Sequence, residues 1–229
     1  MGRTGFANRP PLPIVRPVIR GKFLTLEGGE GAGKSTQAAL IVERLRARGL
    51  EVIATREPGG SDGAESLRAL LVQGEVGRWS ATSEALLMYA ARCDHLERLI
   101  RPSLVRGAWV VCDRFSDSSR AYQGAGGNAP EPLLDALDAY VVGADRPDLT
   151  LLFDVPVEIG LERARARGGD ARFESKGLAF HERLRARYLQ IVADNPERCV
   201  RIDAAAASEQ VAERAWRAVE QRLLSSANG

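Results

Sequence analysis

Gly28-Gly29-Glu30-Gly31-Ala32-Gly33-Lys34-Ser35, followed by Thr36, sets a lysine and a hydroxyl directly behind a run of glycines. The spacing fits the phosphate-cradling pattern G-x-x-x-x-G-K-[ST]. Glycines reach backbone angles that other residues avoid and let N–H groups approach an anion closely. Lys34 adds a point charge for β- and γ-phosphates, and the Ser35 hydroxyl can ligate Mg²⁺. A helix starting near Gly33 points its positive end at the phosphates. The chain holds only three lysines, Lys22, Lys34 and Lys176. With so few, the pattern arises by accident in roughly 2 or 3 of every 1,000 such chains.

Further candidates stand at similar places. Trp109-Val110-Val111-Cys112-Asp113 is an apolar run closed by a carboxylate, the shape of a second nucleotide-binding motif whose Asp helps hold Mg²⁺. Arg114 follows at once; beside a Mg²⁺-phosphate site it can clamp phosphoryl oxygens, or it can form a structural ion pair. Thr55-Arg56-Glu57-Pro58-Gly59-Gly60 is a rigid turn, and Arg68 follows one helix start later. Arg163-Ala164-Arg165-Ala166-Arg167-Gly168-Gly169-Asp170-Ala171-Arg172 concentrates positive charge around a flexible joint. It reads either as a solvated helix end or as a mobile lid that brings arginine onto a transferring phosphoryl group. His95 and His181 fall on helices and are assigned to structure.

The elements that must position these groups alternate along the chain. Apolar strands are expected at Phe23–Glu27, Val52–Thr55, Trp109–Asp113, Leu149–Asp154 and Val200–Asp203. Helices are expected at Gly33–Arg48, Ala64–Gln73, Ser83–Val105, Pro132–Val142, Val157–Arg167, Lys176–Ala193 and Glu209–Leu224. Short apolar strands separated by helices imply an α/β fold with a parallel sheet covered on both faces. Ligands then bind beyond the C-terminal strand ends, which is where Glu27 and the loop, Arg56, Asp113-Arg114 and Asp154 stand. For Asp203 only a surface or structural role is expected.

Residues 1–20 read as an irregular, proline-rich tail and 21–229 as one domain. A net charge of +2, from 32 basic and 30 acidic residues, gives no electrostatic case for nucleic acid or an anionic membrane. Cys93, Cys112 and Cys199 are widely spaced, without a C-x-x-C pair, as suits a reducing cytoplasm. No run is long and apolar enough to span a membrane, and no signal-peptide core is expected at the N-terminus.

In order along the chain, Glu27 through Thr36, Thr55 to Gly60, Tyr89-Ala90-Ala91-Arg92, Asp113-Arg114-Phe115 with Ser118-Ser119, and Ala121-Tyr122-Gln123-Gly124 resemble the thymidylate kinases of the bacterial kind. Arg146-Pro147-Asp148-Leu149-Thr150 and Leu152-Phe153-Asp154-Val155 continue the match. The resemblance implies a P-loop nucleoside monophosphate kinase fold with a five-stranded parallel sheet and a short lid, about residues 163–176. It implies transfer of a phosphoryl group from MgATP to dTMP in dTTP biosynthesis, and a homodimer packed through helices. ATP would lie on Gly28–Thr36, with Mg²⁺ on Ser35 and Asp113. The acceptor would meet Arg56, Glu57 and Pro58, with its phosphate on Arg68 and Arg114. Arg92 would read the thymine edge with Ser119 and Gln123 nearby. Tyr122 would lie where a ribose 2′-OH would intrude, and Glu30 near the acceptor sugar and the metal.

The chain departs from the family in three places. The usual phenylalanine four residues before the base-reading arginine is Met88, with Tyr89 next to it, so either could stack on thymine. Phe115 replaces a tyrosine. The lid's Asp-Arg pair is split, as Asp170-Ala171-Arg172. The phosphate loop also carries no arginine, which implies that Arg163, Arg167 or Arg172 joins Lys34 and Arg114 in catalysis. The other readings are a different nucleotide or nucleoside kinase of the same fold, and a nucleotide-dependent switch. A GTPase switch would need an Asn-Lys-x-Asp motif, which the chain lacks.

Overall fold

A computed structural model describes residues 20–73, 77–166 and 176–225. Five strands form one parallel sheet: β1 (Phe23–Glu27), β2 (Val52–Arg56), β3 (Trp109–Asp113), β4 (Leu149–Asp154) and β5 (Cys199–Asp203), in the order β2-β3-β1-β4-β5. All five expected strands form, within a residue at each end. Leu24 pairs with Val111 on one side of β1 and with Leu149 on the other, so β1 sits at the centre.

Successive residues of a strand face opposite sides, and the core divides accordingly. Leu24, Leu26, Val111, Leu151 and Phe153 pack with Ile41, Leu45 and Trp216 on one face. Phe23, Val110 and Cys112 pack with Tyr89, Leu96, Ile100, Phe115 and Leu134 on the other. Runs buried on both faces are what a parallel sheet requires.

The helices that cover the sheet are α1 (Lys34–Ala47), α2 (Asp62–Val72), α3 (Ala81–His95), α4 (Ser116–Ser119), α5 (Glu131–Val141), α6 (Val157–Ala166), α7 (Leu178–Asp194) and α8 (Ser208–Val219). α3 runs on without a break through a π-helical stretch, Leu96–Ile100, into a last turn, Arg101–Val105. α4 continues as a second such stretch, Arg120–Gly126. Ser80 begins α3 by accepting the Ser83 N–H at 3.1 Å, a side-chain cap for an otherwise orphan donor. α1 and α8 are joined across the sheet face by Trp216: Arg48 lies 4.4 Å above its ring and also pairs with Glu220. None of the described helices is long and apolar enough to cross a membrane.

α4 and its continuation were not expected. Ser-Asp-Ser-Ser and the glycines at 124, 126 and 127 have poor helix propensity. Burial overrides it. Ser116, Asp117, Ser118 and Ser119 are all buried, and each polar group that matters finds a partner: Ser118 on Glu27, Ser119 on Arg92, Asp117 on Arg198.

Candidate active site

The glycine loop leaves β1 and turns into α1 at the C-terminal edge of the sheet. Its backbone could not be built from larger residues. Gly28 has φ 142°, and a Cβ there would meet the Phe153 carbonyl at 2.4 Å; at Gly31, φ 68°, it would meet the Gly160 carbonyl at 1.8 Å. Lys34 folds back over the loop, its Nζ donating to the carbonyls of Gly28 (3.0 Å) and Gly29 (2.9 Å). Burial, and then the neighbouring Arg114 charge, lower its pKa to about 8. Ser35 and Thr36 stand exposed on the first turn of α1.

β3 delivers Asp113 beside this loop. Ser35 Oγ donates to Asp113 Oδ2 at 2.7 Å. Two hard oxygen donors thus sit together at the mouth of a phosphate cradle. That set suits Mg²⁺, which takes one or two protein oxygens and fills its octahedron with water and phosphate. Among the described residues no group of three or more His, Cys, Asp or Glu gathers to cage a metal by itself.

Arg114 takes φ 71°, a left-handed angle unusual outside glycine. Its N–H is tied to the Leu26 carbonyl at 2.9 Å, and the turn throws its guanidinium across the loop. There it donates to Gly28 O (3.0 Å) and to Glu30 Oε1 (3.1 Å), with Tyr122 stacked 4.7 Å below. Tyr122 also donates its hydroxyl to Glu30 Oε1 at 2.6 Å. Burial works to raise the Glu30 pKa, but Arg114, Lys34 and the Tyr122 hydroxyl outweigh it and hold it at about 2.

Behind Arg114 lies Glu27, which the sequence sets at the ligand end of β1 without giving it a role. Glu27 is buried at the end of β1 and accepts from Phe115 N–H (2.8 Å), Ser118 Oγ (2.6 Å) and Tyr188 Oη (3.1 Å). Burial, with Asp117 nearby, pushes its pKa up to about 7. Tyr188 comes from α7, so this cluster fastens the helix beyond the lid to the back of the phosphate loop. No local pattern could announce a contact between residues 161 apart.

From this end a cavity of about 290 Å³ runs between α2, α3 and α4. Glu30, Lys34, Ser35, Asp113 and Arg114 line one end, and Met88, Arg92, Ser119 and Gln123 line the wall beyond. Arg56, Glu57, Pro58, Arg68 and Tyr122 also border it. Arg68 donates to the Pro58 carbonyl at 2.7 Å, fixing it beneath the turn. Arg92 is 2% exposed. Its Nε donates to Glu57 (2.8 Å), and one terminal nitrogen donates to Phe115 O (3.1 Å) and Ser119 Oγ (3.0 Å). The other terminal nitrogen, Nη1, has no partner among the described residues. A guanidinium donor buried without a partner costs about 1–3 kcal/mol or more, which a ligand carbonyl in the cavity would recover. Glu57 therefore works through Arg92, and through His95, whose other nitrogen meets Thr55 Oγ1 at 2.8 Å. His95 is structural, as expected.

One expectation needs correction: Tyr89 is not at the cavity. It is 1% exposed in the core beneath the sheet, with its hydroxyl on Asp138 and its ring 4.5 Å from the Arg92 guanidinium. Met88 lines the wall instead. Arg163, expected to act in catalysis, does not line this cavity; it donates to the carbonyls of Ala204 (2.8 Å) and Ala205 (3.2 Å), just after β5. Arg167, Arg172 and most of the expected lid lie outside the described residues, as does the tail up to residue 19.

Residues 26–215 match the thymidylate kinase family model. The chain is 61% identical over 206 residues to a thymidylate kinase of Caulobacter vibrioides, spanning 90% of this chain and 99% of that one. It is 53% identical over 220 residues to one from Rhodopseudomonas palustris, spanning 94% and 95%. A crystal structure of thymidylate kinase from Ehrlichia chaffeensis superposes with a TM-score of 0.71 at 31% identity, covering 87% of this chain and 99% of that one. A cavity joining a phosphate loop to a buried arginine, on a chain so matched, leaves one conclusion: the protein belongs to the thymidylate kinase family.

Proposed function

We infer that the protein transfers the γ-phosphoryl group of ATP to the phosphate of dTMP, giving dTDP and ADP. The observation that carries this reading is the buried Arg92, which lines the cavity that begins at Lys34 and Arg114 and keeps one donor without a partner among the described residues. A wall that joins the apolar Met88 and Phe115 to the polar Arg92, Ser119 and Gln123 suits a base, and the cationic end suits its phosphate.

ATP would lay its phosphates on Gly28–Ser35, with Lys34 on the β- and γ-oxygens. dTMP would occupy the cavity, its phosphate toward Arg114 and Arg68, its sugar near Tyr122 and its base against Met88 and Arg92. A dTMP phosphate oxygen then forms a bond to Pγ as the bond from Pγ to the β,γ-bridging oxygen breaks, and that electron pair leaves with ADP. The acceptor is already an anion, so no strong base is required. Catalysis here is alignment and charge neutralisation. Ser35 and Asp113 would hold Mg²⁺, which supplies further positive charge for the phosphate oxygens. Glu30 keeps Arg114 and Tyr122 in register. Arg167 and Arg172 of the lid would add positive charge to the transferring group.

The reading includes a homodimer in the cytoplasm. Its supports are an exposed Leu86 on α3 and three free thiols. Light scattering of the purified protein tests the dimer.

Arg92→Lys tests the site. Lysine keeps the charge that Glu57 needs but loses the fork. It should raise the KM for dTMP at least about tenfold while kcat stays within about threefold. An unchanged KM removes Arg92 from the acceptor pocket.

A further inference from the structure

Gln123 lines the cavity near Arg92 and is 1% exposed. Its Nε2 donates to Glu84 Oε1 at 2.9 Å, and Glu84 is itself 6% exposed. A carboxylate accepts and an amide has one end of each kind. Glu84 therefore decides which way the Gln123 amide points. With the nitrogen drawn to Glu84, the carbonyl Oε1 is the end left for a ligand. Arg92 lines the same cavity, and its Nη1 is a donor without a partner among the described residues. The wall presents one acceptor and one donor.

Thymine offers N3–H, a donor, next to O4, an acceptor, and satisfies both. Cytosine offers N3 as an acceptor next to an amino donor, and would set like against like at both. Leaving buried polar groups unpaired in this way is what makes a site reject a close analogue strongly. An acidic residue in a helix's first turn stabilises the helix wherever it points. Glu84 has in addition a buried contact with a particular side chain, 39 residues away.

We propose that Glu84 is a positioning residue for base selection: it fixes the Gln123 amide so that the acceptor pocket takes a pyrimidine with N3–H and O4 and turns away cytosine. The proposal rests on the thymidylate reading of the site. Glutamine in place of Glu84 can donate or accept, so either orientation of the Gln123 amide becomes satisfied.

The test is kcat/KM for dTMP, dUMP and dCMP, with ATP saturating, for the wild type, Glu84→Gln, Gln123→Leu and the double variant. Glu84→Gln should lower the dTMP:dCMP ratio at least about tenfold. The dUMP:dCMP ratio should fall in parallel, because uracil has the same edge. The change should lie in KM for the monophosphates and not in KM for ATP. On the Gln123→Leu background the same substitution should move the ratio less than about twofold, since the group it acts through is gone. If Glu84→Gln does not fold, Glu84→Asp, which withdraws the acceptor by a methylene, should shift the ratio in the same direction. A wild type that uses dTMP while the Glu84 variant keeps its ratio within about twofold overturns the positioning role alone. An equal drop on the Gln123→Leu background does so too. A wild type without dTMP turnover overturns the reading of the site, and this inference with it.

Discussion

At the scale of residues, the chemistry of the loop was legible because it is local. Gly28, Gly33, Lys34 and Ser35 stand within eight positions, and their spacing alone specifies an anion cradle. Met88 and Tyr89 were harder. They are consecutive on α3, and Arg92 is four residues from one and three from the other, so helical spacing brings both near it. The structure separates them because the core lies on one side and the cavity on the other. Glu84 was missed although a signal existed: Glu84, Met88 and Arg92 repeat every four residues and form one stripe. A carboxylate on a stripe that reads a base is a candidate for orienting it. Lys34 carries a prediction at this scale. Its usual pKa is near 10.5, and burial brings it to about 8 in the free protein. Above pH 8 the free protein therefore holds Lys34 largely neutral, while bound phosphates favour the charged form. ATP binding at pH 9 should take up a proton, and at pH 7 Lys34 should contribute none. Calorimetry in buffers of different ionisation enthalpy reads this directly; equal apparent enthalpies in all buffers at pH 9 would contradict it.

Elements follow from the sequence where burial and propensity agree, and fail to where they conflict. The five strands were readable as short apolar runs, and α1, α5 and α8 as periodic ones. α4 and its continuation escaped because their residues favour turns; partners 15 to 92 positions distant hold them helical, from Asp135 on Arg120 to Glu30 on Tyr122. The arginine near the end of α6 shows the same limit. Arg163 donates to the backbone carbonyls of Ala204 and Ala205, 41 and 42 residues on, a destination that no spacing encodes. We therefore expect the lid arginines to differ in function. Arg163→Ala should leave kcat within about threefold, because its guanidinium belongs to the segment after β5. Either Arg167→Ala or Arg172→Ala should lower kcat at least tenfold, about 1.4 kcal/mol of barrier, with a smaller effect on KM for ATP. Steady-state kinetics of the three single variants decides. A tenfold loss at Arg163 alone would reverse the assignment.

Over the whole molecule, the order β2-β3-β1-β4-β5 explains why one loop can serve two ligands. β1 is central, with β3 and β2 on one side and β4 and β5 on the other. The phosphate loop leaves β1 at the point where the connections diverge, which is where open α/β sheets bind ligands. β2 and β3 place Arg56, Glu57, Asp113 and Arg114 on one side of the loop, and β4 and β5 lie on the other. On the proposed reading, phosphates bound from the two sides would meet over Lys34. That arrangement makes the acceptor's identity the central claim. It is tested by following ADP release from ATP with dTMP, dCMP, dAMP, dGMP and no acceptor in parallel. dTMP should give by far the highest kcat/KM, and ATP alone should turn over negligibly. Turnover with any of the other three exceeding that with dTMP, or dTMP adding nothing to ATP alone, would contradict it.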